Sequence, residues 1–155
     1  LYIPAGGDLP DMKLNSKFEH KINFLSEIKN KFFKGKKKKT ILVGDFNIAP
    51  LPDDVWSHKA LLNVVSHTKI ETDLLSEIKK SGDWVDTFRE MKPSGKLYSW
   101  WSYRARNWKT SNRGRRLDHI WASQDLKSKL SKVQIFSEAR DWERPSDHVP
   151  ILSIF

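Results

Sequence analysis

The chain has 155 residues, 28 Lys and Arg against 19 Asp and Glu, and no cysteine. That length supports one domain with a real core, and the lack of cysteine excludes disulfides and thiolate metal sites. The net charge of +9 suits a polyanionic partner. Any metal must sit on oxygen or imidazole, which favours hard ions such as magnesium.

The first residue is Leu1, and Leu1-Tyr2-Ile3-Pro4 reads like the end of a strand. The expectation is therefore that an N-terminal portion of the domain lies upstream. Phe18, Ile22, Leu25, Ile28 and Phe32 recur at spacings of three and four, which predicts an amphipathic helix over Phe18–Phe33. Lys34-Gly35 ends it, and a basic run, Lys36 to Lys39, follows as a solvated loop. Thr40-Ile41-Leu42-Val43 predicts a short strand buried on both faces, stopping at Gly44-Asp45. Pro50, Pro52 and two aspartates make the next stretch a loop. A second helix is predicted over Thr72–Lys80, ending at Gly82, and further strands over Leu117–Ala122, Val133–Phe136 and Val149–Phe155. Helices alternating with apolar strands indicate an α/β architecture in one domain, residues 1–155. No apolar run reaches membrane-spanning length and no signal peptide is visible, so a soluble cytoplasmic protein is the default expectation, with no membrane partner.

The segment Lys96 to Arg116 stands apart. It holds Tyr98, Trp100, Trp101, Tyr103 and Trp108 among Lys96, Arg104, Arg106, Lys109, Arg113, Arg115 and Arg116, with no acidic residue. Pro93, Gly95, Asn112 and Gly114 predict a long loop. Tryptophans among cations can be packing plus a solvated face. The stronger reading is nucleic-acid contact, with cations for phosphates and aromatics as an apolar wall.

Three short signatures carry acids: Gly44-Asp45-Phe46-Asn47, Arg116-Leu117-Asp118-His119 and Ser146-Asp147-His148. If strand geometry persists past Val43, Asp45 and Asn47 point to one side. A carboxylate there can bind a metal or take a proton from water, and the amide can orient that water; a plain turn is the alternative. Asp118 sits in an apolar strand and is costly to bury unpaired; otherwise it faces water on an edge strand. His148 is the best candidate partner, since a carboxylate on one imidazole N–H fixes the tautomer and favours the charged ring, which can bind a phosphate oxygen. His119 faces away from Asp118 and is structural, as are His20, His58 and His67. Asp147 suits magnesium, which is held by one or two carboxylates plus water and phosphate; Ser146-Asp147 is otherwise a turn. Three such signatures in one chain argue for a common site.

These residues resemble the exonuclease III family of DNA-repair enzymes within the endonuclease/exonuclease/phosphatase superfamily. The matching stretches are Tyr2-Ile3-Pro4, Gly44 to Pro50, Val85-Asp86-Thr87-Phe88-Arg89, Tyr98 to Arg104, Asn112 to Asp118 and Pro145 to Pro150. The resemblance implies a four-layer α/β sandwich of two packed mixed sheets flanked by helices. It implies a magnesium- or manganese-dependent enzyme acting as a monomer on double-stranded DNA, by cleavage 5′ to an abasic site, 3′-to-5′ exonuclease action or removal of 3′ blocking groups. By motif match, Asp45 activates the attacking water, and Asn47 orients it and steadies the phosphate. Asp45, Asn47 and Asp147 form the metal side, and His148, oriented by Asp118, contacts the scissile phosphate. Tyr2 stabilises the phosphate or supplies a proton. Trp100 and Leu117 wall a pocket for a base-less sugar, and Arg104, Asn112, Arg113 and Arg116 join them in contacting DNA. The family also carries a strand-end Asn and a metal-binding Glu in a Gln-Glu motif. Neither precedes Tyr2, and neither Gln124 nor Gln134 is followed by Glu. Open alternatives are a superfamily phosphodiesterase for RNA, a phosphoinositide or a phospholipid, and a DNA-binding fragment that does not cut.

Overall fold

A computed structural model describes residues 1–31, 35, 38–105 and 107–155. The expectations placed on Phe32, Phe33, Lys34, Lys36, Lys37 and Arg106 lie outside the described residues. In chain order the elements are α1 (Ser16–Lys31), β1 (Ile41–Asp45), α2 (His58–Leu61), α3 (Lys69–Ser81), β2 (Trp84–Asp86), α4 (Thr87–Met91), α5 (Trp108–Ser111), β3 (Asp118–Ser123), β4 (Lys132–Ile135) and β5 (Ile151–Ile154). Three short 3-10 turns join them, at Pro52–Asp54, Gln124–Lys129 and Ser137–Asp141. The fold is α/β.

One sheet has the order β1-β3-β2 and the other pairs β4 with β5, with antiparallel ladders throughout. The helical stripe Phe18, Ile22, Leu25 and Ile28 of α1 packs with Leu75 and Ile78 of α3 onto Trp84 and Trp121 of the first sheet. α3 starts at Lys69, earlier than its apolar period suggests. Thr68 caps it, donating its N–H and hydroxyl to Glu71 Oε2 at 3.1 and 2.6 Å. The second sheet touches the first through Thr87, whose Oγ1 donates to the Ile120 carbonyl at 2.8 Å and lies 2.8 Å from Ser153 Oγ.

Two expectations are corrected. β1 is not buried on both faces: Leu42 joins the helix-side core, while Ile41 and Val43 stay 47% and 49% exposed. β1 lies at the end of its ladder, and among the described residues only one of its faces is covered. The Lys96 to Arg116 segment is not loop throughout, since it contains α5 and is pinned by bridges from Trp100 to Arg115 and to His148. No helix among the described residues is long and apolar enough to cross a membrane.

The chain start runs beside β1. The Leu1 amino group donates to the Val43 carbonyl at 2.8 Å and the Ile3 N–H to the Asp45 carbonyl at 3.0 Å. Gly44 permits this approach. Its φ is +145°, and a Cβ there would lie 1.8 Å from the Leu1 carbonyl oxygen. Tyr2 is thereby placed next to Asp45.

Candidate active site

β1 and β3 run antiparallel with Asp45 directly opposite Asp118. Side chains alternate along a strand, so both carboxylates point away from the α1 and α3 core. Two like charges facing each other across a ladder repel. His148 offsets this. Its Nδ1 lies 2.8 Å from Asp118 Oδ2 and its Nε2 3.9 Å from Asp45 Oδ2. The hydrogen bond to Asp118 holds the His148 pKa above the ordinary imidazole value, against its partial burial. Burial raises the Asp45 carboxyl, and the nearby Asp118 charge adds to this against the Asn47 hydrogen bond and the His148 charge. Ligand atoms of Asp45, Asp118 and His148 all lie within 4.8 Å of one another. Hard carboxylate oxygens beside an imidazole form a donor set that fits a divalent ion.

Asn47 reaches Asp45 by a turn and not by strand alternation. β1 stops at Asp45, and Asn47 has a φ of +50°. Asp45 Oδ1 accepts from the Asn47 N–H at 2.8 Å, and Oδ2 accepts from its Nδ2 at 2.9 Å. Asn47 Nδ2 also donates to the Ile3 carbonyl at 2.9 Å. Asp147 lies on the same cavity, where its Oδ2 accepts from Trp100 Nε1 at 2.9 Å. The residues expected from sequence on the metal side, Asp45, Asn47 and Asp147, all line this cavity, and Asp118 and His148 stand beside Asp45 in the close group.

The site opens into a cavity of about 760 Å³ lined by Tyr2, Asp45, Asn47, Asp147 and His148, with Trp56, Leu61, Val65, Trp100 and Leu117 as apolar wall and Arg104, Arg113 and Arg115 as cations. Tyr2 is 65% exposed at its rim. Arg113 lies 4.8 Å over the Trp56 ring, and Arg115 5.4 Å over Trp100. Trp100, Arg104, Arg113 and Leu117 thus line the same cavity as Asp45, Asn47 and His148. Asn112 does not line this cavity. It sits on a separate groove with Tyr98 and Trp108, accepting from Trp101 Nε1 at 3.1 Å.

Arg116 is corrected outright. It is 1% exposed. It donates to Asp54 at 2.7 and 3.0 Å and to Asp86 at 3.1 and 2.8 Å. Burial would raise the Asp86 carboxyl, but the guanidinium outweighs it and holds that pKa down at about 2. A side chain so enclosed offers no exposed surface to a ligand among the described residues; it clamps the strand that carries Asp118.

Two supporting residues escaped the sequence. Ser99 is fully buried, and its Oγ accepts from the Leu117 and Asp118 N–H groups, each at 3.0 Å. Its carbonyl accepts from Val149 N–H at 2.8 Å, which ties the Asp118 and His148 segments together. Lys21 is fully buried, pairs with Glu71 at 2.5 Å and donates to the Asn47 carbonyl at 2.8 Å. One signal existed for it: a lysine on the apolar stripe between Phe18 and Leu25 has no solvent to reach.

Residues 25–148 match the family model described as Endonuclease/Exonuclease/phosphatase family. The chain belongs to this family. Within it, the chain is 29% identical over 166 residues to exodeoxyribonuclease III of Haemophilus influenzae, covering 99% of this chain and 59% of that one. Among solved structures it is similar to an AP endonuclease from Archaeoglobus fulgidus, with TM-score 0.90, 27% identity and coverage of 99% and 59%. It is also similar to a 3′ phosphatase from Neisseria bound to product DNA hairpin, with TM-score 0.83, 28% identity and coverage of 100% and 59%. The chain therefore spans about three fifths of these relatives' length.

Proposed function

We propose that this chain carries the catalytic centre of a divalent-metal DNA-repair phosphodiesterase of the exodeoxyribonuclease III type, working as a monomer on duplex DNA at abasic sites and 3′ ends. The observation that carries this reading is the convergence of Asp45, Asp118 and His148 at the end of a cavity walled by Trp100, Trp56 and arginines.

Magnesium or manganese, held by Asp45 with Asp147 on the same cavity, would neutralise charge on the phosphate and favour ionisation of water. The chain's own groups supply the rest. Asp45, with its carboxyl raised by burial, takes a proton from the attacking water. The Asn47 amide keeps that carboxylate in one orientation. The hydrogen bond from its Nδ1–H to Asp118 raises the His148 pKa and favours the charged ring, whose Nε2–H then faces a phosphate oxygen. The water oxygen bonds to phosphorus, the bond from phosphorus to the leaving sugar oxygen breaks, and Tyr2 at the rim is the candidate to give that oxygen its proton.

A duplex with one tetrahydrofuran abasic analogue tests this. The purified protein nicks it with magnesium, EDTA abolishes the nick, and added magnesium restores it. Asp45→Asn lowers the rate by about 10³-fold, as for loss of a general base, with duplex affinity retained. No EDTA-sensitive nick, or equal loss of binding in Asp45→Asn, removes the proposal.

A further inference from the structure

Arg115 is a partly buried cation in the cavity wall that forms no ion pair among the described residues, although the Glu71 charge acts on it from a distance. Its Nη1 donates to the Val65 carbonyl at 3.0 Å and to Ser66 Oγ at 2.7 Å. Its guanidinium lies over Trp100, whose Nε1 holds Asp147. Among the described residues no acceptor meets its Nε and Nη2 hydrogens, and no carboxylate forms an ion pair with it. The contrast with Arg116 next to it is sharp, since that guanidinium is fully paired with two carboxylates. A partly buried cation without a counter-ion is costly. Here it is fixed in place by two hydrogen bonds and a ring, with its remaining donors in a fork that matches two phosphate oxygens.

We propose that Arg115 is an anion seat inside the cavity and a specificity-determining residue. It favours a strand end that brings a phosphate group into the cavity over a neutral base-less sugar. The inference rests on the nuclease reading above and deepens it. In the favoured reaction a water oxygen bonds to phosphorus and the bond from phosphorus to the sugar 3′ oxygen breaks. Inorganic phosphate leaves, and the 3′ oxygen takes a proton. Ser66, whose backbone φ is +85°, acts as the positioning residue that fixes Nη1.

The test compares kcat/KM on two nicked or gapped duplexes of one sequence, one ending in a 3′-phosphate and one bearing tetrahydrofuran. It also titrates inorganic phosphate against the indole N–H signal of Trp100. Arg115→Gln lowers kcat/KM for the 3′-phosphate by about tenfold or more and for tetrahydrofuran by less than about threefold, as expected when one charge-assisted fork is lost. Arg115→Lys recovers part of the difference, and phosphate affinity follows the same order. Equal loss on both substrates, or no loss on either, overturns the seat while leaving the nuclease reading intact. If the unmodified protein turns over neither substrate, the nuclease reading fails. The titration then decides alone, and unchanged phosphate affinity in Arg115→Gln rejects the seat. If Arg115→Gln does not fold, Ser66→Ala replaces it, since it frees the guanidinium without removing its charge; unchanged discrimination there overturns the proposal.

Discussion

Asp118 and His119 are neighbours on β3 with opposite surroundings, and the alternation of a strand is the cause. Asp118 faces His148, away from the helix-side core. His119 faces the core, fully buried, with Nε2 on the Ile48 carbonyl at 2.8 Å and its ring stacked 4.8 Å from Phe46. Its Nε2 therefore carries the proton, and its Nδ1 has no partner among the described residues. Burial, with the Arg116 charge behind it, lowers its pKa from 6.5 to about 4. In that interval the unfolded chain binds a proton that the folded one does not. Stability from this group is thus fully present above the unfolded pKa and falls as pH drops toward the folded one, by about 3 kcal/mol in total. His148 has the opposite sign: its raised pKa contributes stability that is present at lower pH and lost as pH rises. Urea midpoints at pH 7 and pH 4.5 should show the loss. His119→Gln, which keeps a donor for Ile48 but does not titrate, should flatten that part of the profile. An unchanged profile would mean that carboxylates alone set the acid limit.

At the scale of elements, periodicity was informative where one face of an element is covered and the pattern is local. The stripe of α1, the strand at Leu117–Ala122 and the opposite facing of Asp118 and His119 were all readable for that reason. What composition cannot do is sort cations within one loop. Arg113, Arg115 and Arg116 are nearly adjacent, yet the first faces the cavity over Trp56, the second lines it over Trp100 and the third is buried. The deciding partners lie far off in sequence: Asp54 is 62 residues from Arg116 and Asp86 is 30. The turn that folds Asn47 back onto Asp45 was equally hidden, because it depends on Lys21 and Ile3 holding it from other segments. The buried cluster gives a stability prediction. Arg116→Met leaves Asp86 without its guanidinium and Asp54 with Arg89 alone, which should cost about 3–5 kcal/mol in chemical denaturation. Adding Asp86→Asn should recover part of it. Duplex affinity per folded molecule should stay unchanged, because Arg116 does not reach the cavity. A loss below about 1 kcal/mol would show that the cluster is relieved by water.

Across the whole molecule, the excess of +9 is unevenly available. Several surface lysines are already paired, Lys29 with Glu77, Lys69 with Asp73, Lys109 with Asp141 and Lys127 with Glu90. Such pairs add little to stability, but they lower the local field that a phosphate would meet. Arg104 and Arg113 stand at the cavity with no carboxylate partner among the described residues, next to the acidic group that would hold the metal. On the proposed function, a DNA backbone drawn by these arginines would be delivered to Asp45 and His148, while the acids at the centre would repel it unless a divalent ion were present. Binding should therefore weaken steeply with salt, since each neutralised phosphate releases counter-ions. The double variant Arg104→Ala, Arg113→Ala should lower the slope of log K against log salt by about 2, and weaken binding about equally across duplex sequences. Lys29→Ala with Lys127→Ala removes the same formal charge from paired surface sites and should leave the slope nearly unchanged. Fluorescence anisotropy over a series of salt concentrations separates the two. Equal slopes for both double variants would mean that net charge, and not the arginines of the cavity, directs the DNA.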